Sequence, residues 1–577
     1  MAAITVVSRI LGMIRDMAIA SYGANRQNSA FVLAFRIPNL FRRLFGEGAL
    51  AGAFVPVFTE TTRLDGQSSA NRLLSNAMGL LGVFLSGLMV LIQVGLLVYG
   101  LATHAWGPLP QERWDSVAAA TSAHPTPLDE PQRVADIKST CAGSHLEIQS
   151  RAIAEGWTPQ RTADEIYHAD RQLLLLLTAI MLPFMVSICL LALVSSALNC
   201  RGHFWYPAFA PCVLNICMIA AAWFIAPHFR AERVHLMIIA LSVTAASVIQ
   251  FLLALWVLKA NGMPASMHLR PVEPGVWQIM KLMGPVVLGL GFPQLSSLFE
   301  GLVIQWFSRS PGHETISFLG REFLLPLREG TQVCVYSASQ LYQFPMGVLA
   351  ISLSVAIFPL LSRYAARGDM AAMREGVNRA LRVSSMEGLA AGTGLFVLAE
   401  PITSLIYQRR KFDAAAVHET TAVLQMFVLG MLAYSTYQIF LKAFYALKQP
   451  IKPLKVVAVM AVVNMVLVFT LIWVPSLGSR AFGIATASTM SLDAVVLAVM
   501  LKMQLGRIGG RSLLKSLLRS AVAASAMAAA IYALRVPLAG RPNWLVVSVC
   551  VPAGALVFLA VARLLRMPEL RELLGKD

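Results

Sequence analysis

The sequence predicts an all-α polytopic membrane protein of about fourteen transmembrane helices, and three observations carry that prediction. Of its 577 residues, 57% are hydrophobic and only 13% charged, more apolar surface than a soluble core of this length can bury. Apolar runs of roughly 20 residues, enough to cross about 30 Å of hydrocarbon at about 1.5 Å per residue, recur along the chain. Between them, lysine and arginine gather in alternate connecting segments, as the positive-inside rule requires.

The runs fall near 1–22, 28–60, 73–103, 171–199, 206–227, 234–258, 278–308, 333–361, 383–407, 418–446, 454–475, 481–503, 514–535 and 544–566. An even number of spans puts both termini on one side. Placing them inside assigns Arg363, Arg367, Arg374, Arg379, Lys448, Lys452, Lys502, Arg507, Arg511, Arg563 and Arg571 to cytoplasmic segments, with Arg409, Arg410 and Lys411 as a local exception outside. The net charge of +17 is therefore a topology signal with anionic membrane lipids as partners, and no nucleic-acid partner is expected. Seven cysteines, six of them in or beside apolar runs, form no disulfide framework and no metal-ligand spacing.

Two polar insertions lie outside in this topology, at 105–168 and 309–332. Each is a tolerated insertion or a docking surface. The chain also hints at duplication. Span 2 holds Pro38 and Pro56 as span 8 holds Pro345 and Pro359, and prolines precede Asn215 in span 5 as they precede Asn464 in span 11. The expected organisation is an N-terminal lobe at 1–259 with the insertion 105–168, a C-terminal lobe at 260–504 with the insertion 309–332, and spans 13 and 14 with a cytoplasmic tail at 505–577. Two six-helix repeats of this kind are typical of alternating-access transporters.

Charge inside the first two spans needs an explanation, since an arginine at the bilayer centre costs from about 2.5 to above 10 kcal/mol. On a helical wheel, Ser8, Arg9, Gly12, Arg15 and Asp16 share one sector of about 120°, opposite Ile10, Leu11, Met13 and Ile14. That stripe faces a wet cavity, or Arg9 and Asp16 form a buried ion pair that staples the span, or the side chains reach an interface. In span 2, Ser29, Arg36, Asn39, Arg43 and Glu47 fall within about 80° on an unbent wheel, with Arg42 offset. Five arginines against Asp16 and Glu47 leave a surplus of guanidinium, which suits bidentate binding of phosphate. Elsewhere in the membrane, Glu300, Asn464, Thr489 and Asp493 form a candidate ion site, giving possible coupling to H+ or Na+.

The stretches SRILGMIRD at 8–16, AFRIPNLFRRLFGEGALAGAFVPVF at 34–58, ALNCRGHFWYPAFAPCVLNI at 197–216, MGPVVLGLG at 283–291, LYQFPMGVLAISLSVAIFPLLSR at 341–363 and YQRRKFDA at 407–414 resemble the MurJ/MviN lipid II flippases of the multidrug, oligosaccharidyl-lipid and polysaccharide exporter superfamily. The resemblance implies a V-shaped, two-lobed transporter in the bacterial cytoplasmic (inner) membrane. It would move the undecaprenyl-diphosphate-linked disaccharide pentapeptide outward for peptidoglycan synthesis, with no enzymatic chemistry and no cofactor beyond a coupling ion or the membrane potential. It implies diphosphate binding by Arg9, Arg15 and Arg42, positioning of Arg15 by Asp16, functional polar roles for Ser8 and Glu47, and a groove for the lipid tail formed by spans 13 and 14. Where the family typically carries a further arginine in span 8, this chain has Gln340, so a third contribution to phosphate binding falls to another residue such as Arg321 or Arg328. The alternatives are a divergent paralogue exporting another lipid-linked oligosaccharide, or a scaffold recruiting cell-wall synthesis proteins through 105–168.

Overall fold

Each of the fourteen apolar runs is helical, because backbone N–H and C=O groups in hydrocarbon must be paired within their own segment. The computed structural model describes residues 2–103, 105, 134–137, 146–264, 266–269, 273–310, 312–318, 320–506, 508 and 510–573. Among the described residues nine helices are long and apolar enough to cross a membrane, and up to eleven if two bent helix pairs each count as one span. The chain is a multi-pass, all-helical membrane protein. Its lipid-facing character shows on Gly66–Ala102, where Phe84, Leu91 and Val98 are all more than half exposed.

The chain clusters into two compact units, Met1–Gln332 and Val333–Asp577. In the first, α1 (Ala2–Ala20) and α2 (Arg26–Phe41) are followed by a π-helical segment, Arg42–Ala49, then α3 (Leu50–Leu64) and α4 (Gly66–Ala102). Pro38 lacks an N–H and crowds the carbonyl four residues back, which loosens the ladder just ahead of the π turns. Further along come α5 (Leu146–Ala154), α6 (Pro159–Met181), α7 (Pro183–Cys200), α8 (Trp205–Ala220), α9 (Glu232–Ala260) and α10 (Pro274–Phe307). The lobe boundary expected at 260 differs from this division. α10 packs on α2, the π segment and α3, and so groups with the first unit.

The second unit comprises α11 (Thr331–Val348), α12 (Ala350–Ala366), α13 (Met370–Val397), α14 (Ala399–Tyr407), α15 (Ala414–Leu429), α16 (Met431–Ala446), α17 (Ile451–Leu471), α18 (Arg480–Leu505), α19 (Gly510–Arg535), α20 (Asn543–Leu564) and α21 (Pro568–Leu573). Leu361, Val377, Phe440, Phe444, Leu497 and Leu501 make one of its cores. Met527, Ile531, Cys550 and Phe558 make another, between α19 and α20. Cys189, Cys200, Cys212, Cys217, Cys334 and Cys550 are all free thiols, while Cys141 lies outside the described residues.

Both polar insertions contain more structure than their composition suggests. α6, the first half of the fourth apolar span, begins at Pro159 rather than near 171, because Thr158 caps it by accepting from the Arg161 N–H at 3.2 Å and Pro159 fits the first helical position. Its first turns are amphipathic, burying Thr162, Ala163, Ile166 and Asp170. α5 lies against them, around a small core of Ile137, Ala152, Trp157 and Ile166. Within this insertion, residues 106–133 and 138–145 lie outside the described residues. In 309–332, β1 (Thr315–Phe318) and β2 (Arg321–Leu324) pair antiparallel with Ile316 opposite Phe323.

This hairpin is fastened to α6. His313 Nε2 lies 2.8 Å from Asp164 Oδ1, its ring sits 4.6 Å from that of Tyr167, and Gly312, at φ +72°, leaves no room for a side chain, since a Cβ there would come within 2.5 Å of Ala163 Cβ. Replacing His313 with alanine is expected to speed amide exchange across 312–324 while costing less than about 1 kcal/mol globally, since the pair is partly solvated. Exchange mass spectrometry that finds the hairpin equally protected in the variant would refute this fastening.

Deeper in the first unit, Arg26 pairs with Asp170 at 3.1 Å, with side chains 8% and 1% exposed, and stacks its guanidinium 5.0 Å above the Tyr167 ring. The Arg26 N–H donates to Glu329 Oε1 at 3.3 Å, and the neighbouring Gly330 lies against the Ala24 carbonyl. Thus the chain leaving the hairpin is stitched to the turn between α1 and α2.

Candidate functional site

The polar stripe of α1 packs on α8. Arg15 donates from Nε and Nη2 to Asp16 Oδ1 at 3.0 and 2.8 Å, and from Nη1 to Asn215 Oδ1 at 3.0 Å. Asn215 Nδ2 returns a hydrogen bond to the Ser8 carbonyl at 3.2 Å. Asp16 is buried, and Arg15 pairs with it. A half-buried guanidinium held by one carboxylate oxygen and one amide oxygen is fixed in orientation, which matters because its planar fork recognises phosphate only when correctly aimed. Arg9 lies further toward the N-terminus of the same helix and is exposed.

A second group of arginines occupies α2 and the π segment. Arg36 Nη1 donates to the Ser297 carbonyl of α10 at 2.9 Å, and Arg43 Nη1 donates to Gln294 Oε1 one turn earlier at 3.3 Å. Glu300, one turn beyond Ser297, lies within electrostatic reach of Arg36. Arg42 turns to its own helix, donating from Nε to Asn39 Oδ1 at 3.0 Å. Asn39 and Gln294 are neutral, so they orient Arg42 and Arg43 without cancelling their charge. The Glu47 side chain lies outside the described residues. Ser29 leaves the expected stripe, because its hydroxyl bonds back to the Asn25 carbonyl at 2.7 Å as part of the helix start.

The candidate ion residues divide between the units: Glu300 belongs to the first, and the other three cluster in the second. Asn464 of α17 donates to Thr489 Oγ1 of α18 at 3.3 Å. One turn on, Asp493 is 3% exposed, with Oδ1 buried and lacking a hydrogen-bond partner. Among the described residues no group of three or more His, Cys, Asp or Glu side chains is arranged to hold a metal ion. Gln340 lies half-buried in α11.

Asn215 is the site residue that sequence reasoning placed only as a repeat echo. Its signal was available, since an amide in the middle of an apolar helix needs a polar partner on a neighbouring one.

The family described as lipid II flippase MurJ matches residues 19–118 and 153–551, leaving 119–152 inside the first polar insertion unmatched. A probable lipid II flippase MurJ of Vibrio cholerae is 26% identical over 490 residues, spanning 85% of this chain and 79% of the relative. The lipid II flippase MurJ of Burkholderia cenocepacia is 27% identical over 504 residues, spanning 86% and 82%. Among solved structures, a lipid II flippase MurJ in an inward closed conformation superposes with a TM-score of 0.70 at 19% identity, covering 98% of both chains. An inward-facing multidrug resistance transporter of the MATE family, in the MOP superfamily, superposes at 0.60 and 11% identity over 88% of this chain and 96% of its own. The latter two likenesses establish a shared fold, whereas the match over both units is one of sequence: the chain belongs to the lipid II flippase MurJ family.

Proposed function

We propose that the chain flips lipid II, the diphosphate-linked peptidoglycan precursor, from the inner to the outer leaflet of the bacterial cytoplasmic membrane. The observation that carries this reading is the set of arginines on the first two spans that neutral amide oxygens orient, Asn215 for Arg15, Asn39 for Arg42 and Gln294 for Arg43. A diphosphate leaving water at the inner surface needs such groups to offset its desolvation, and a cationic substrate would be repelled by them.

In this reading the two units are the lobes of an alternating-access cycle, with both termini cytoplasmic. Arg9, Arg15 and Arg42 hold the diphosphate, Asp16 and Asn215 keep Arg15 in register, and Arg36, Asn39, Arg43, Ser8 and Glu47 complete the polar lining. The lipid tail stays in hydrocarbon, so no covalent step is required. Binding advances the cycle only insofar as the arginines meet the head group better in one state than in the other. An anion leaving a negative interior gains about 2.3 kcal/mol per net charge per 100 mV, a driving force for release. The bare carboxylate oxygen of Asp493, beside Asn464 and Thr489, supports H+ or Na+ coupling. The polar insertion 105–168 is the segment through which cell-wall synthesis proteins would be recruited.

Cells depleted of their own flippase provide the test. The parent gene is expected to restore growth and outer-leaflet exposure of the precursor. Arg15→Ala and Arg42→Ala are expected to lose both at undiminished protein level, while Asn39→Ala, which only unaims Arg42, should retain a fraction. Equal rescue by all four genes would defeat the phosphate-binding assignment.

A further inference from the structure

A cavity of about 350 Å³ lies at one end of the second unit, where α14, α15, α19 and α20 meet. Arg535, Arg541, His418, Gln408, Asn543 and Glu400 are among the side chains that line it. Its volume falls at the lower end of ligand sites, which run from about 300 to 1,000 Å³. From the geometry we infer that this cavity binds the phosphate of an anionic phospholipid head group, at a position separate from the arginines of α1 and α2.

Charge is the first reason. Two arginines face one carboxylate, and the Arg535–Glu400 contact is loose, at 3.5 Å between side chains 33% and 68% exposed. Such a solvated pair cancels little of the guanidinium's attraction for a phosphate. Arg535 is meanwhile anchored from behind, donating Nη1 to the Val397 carbonyl at 3.0 Å. Asn543 is fixed by donating Nδ2 to Ser404 Oγ at 2.6 Å, and Ser404 in turn donates to Gln408. A linked polar wall of this kind is preorganised rather than floppy.

Backbone dipoles are the second reason. α20, which starts at Asn543, has no side-chain hydrogen bond capping its N-terminus, so its first-turn amides add partial positive charge at the cavity. α15 also begins here, with Ala414, Val417 and His418 on the wall, but its N-terminus is already capped by Asp413, which accepts from the Ala416 N–H at 2.8 Å, so the open amides are those of α20.

Position is the third. Tyr532 and Trp544, 69% and 59% exposed on the helices flanking the cavity, are the residue types that settle at the head-group level of a bilayer. Arg409, Arg410 and Lys411, all exposed, follow Gln408 directly. In the topology of the proposed function they break the positive-inside rule, and an anionic head group on that side gives them a counterpart. Only this placement in the outer leaflet rests on that reading.

The test uses the full chain, purified in a neutral detergent and titrated with phosphatidylglycerol, phosphatidylcholine or inorganic phosphate while its melting temperature is followed. Phosphatidylglycerol is expected to raise the melting temperature and phosphatidylcholine is not. Arg541→Gln should weaken the apparent affinity for phosphatidylglycerol about tenfold, the size of one lost charge-assisted hydrogen bond, and Arg541→Glu should abolish the response. Arg42→Ala should keep it, which separates this site from the proposed transport site whatever becomes of that assignment. The inference fails if the Arg541 variants respond as the parent does, if phosphatidylcholine protects equally, or if inorganic phosphate alone reproduces the effect.

Discussion

Gly330→Ala is expected to lose most of the folded protein, at a cost of roughly 3 kcal/mol or more. Gly330 has φ +80°, a conformation open to glycine and strained for any side chain. A Cβ there would also overlap the Ala24 carbonyl, a backbone group that cannot swing aside as a side-chain tip would. Relief requires moving either the turn between α1 and α2 or the segment leaving the hairpin, and the two are tied by the Arg26 N–H bond to Glu329. Size-exclusion profiles and melting curves in detergent check it. A variant that accumulates and melts like the parent would show that this approach of two backbones is not fixed.

The second large effect concerns Arg26 and Asp170. Removing one partner of a buried ion pair strands the other charge, typically at about 3–5 kcal/mol, whereas replacing both with apolar residues of similar size is often neutral or stabilising. Arg26→Met is therefore expected to destabilise strongly, because it leaves Asp170 charged at 1% exposure. Arg26→Met with Asp170→Leu should recover most of the loss, less the stacking of Arg26 on Tyr167. Melting temperatures of the two single variants and the double variant close the cycle. A double variant as unstable as the singles would mean the pair is not the source of the effect.

The membrane helices were legible because hydrocarbon imposes both their length and their composition, and the fourteen runs read from the sequence are the segments found helical. What escaped was amphipathic or nonlocal. The start of α6 at Pro159 lies in a polar stretch, and only Thr158 and the spacing of Ala163, Ile166 and Asp170 betray it. The hairpin strands are four residues each, too short for alternation to stand out from noise. Arg26 and Asp170 lie on different helices far apart in the chain, so no local pattern couples them. At the candidate site the stripes on the first two helices were readable, since burying charge in hydrocarbon leaves few options. Which neighbour each arginine meets, Asn215 for Arg15 and Gln294 for Arg43, depended on packing that no single helix encodes.

The π segment at 42–49 has a mechanical consequence. An α turn closes its hydrogen bond over four residues and a π turn over five, so this stretch holds surplus chain in the middle of a membrane helix. Expelling one residue from it would advance everything downstream by about 100° and 1.5 Å. Arg42 and Arg43 sit at its upstream edge, and Leu50 begins the ordinary helix at the other. Slack stored there lets the two halves twist and slide against each other while neither frays, much as a coil in a cable absorbs movement between fixed ends.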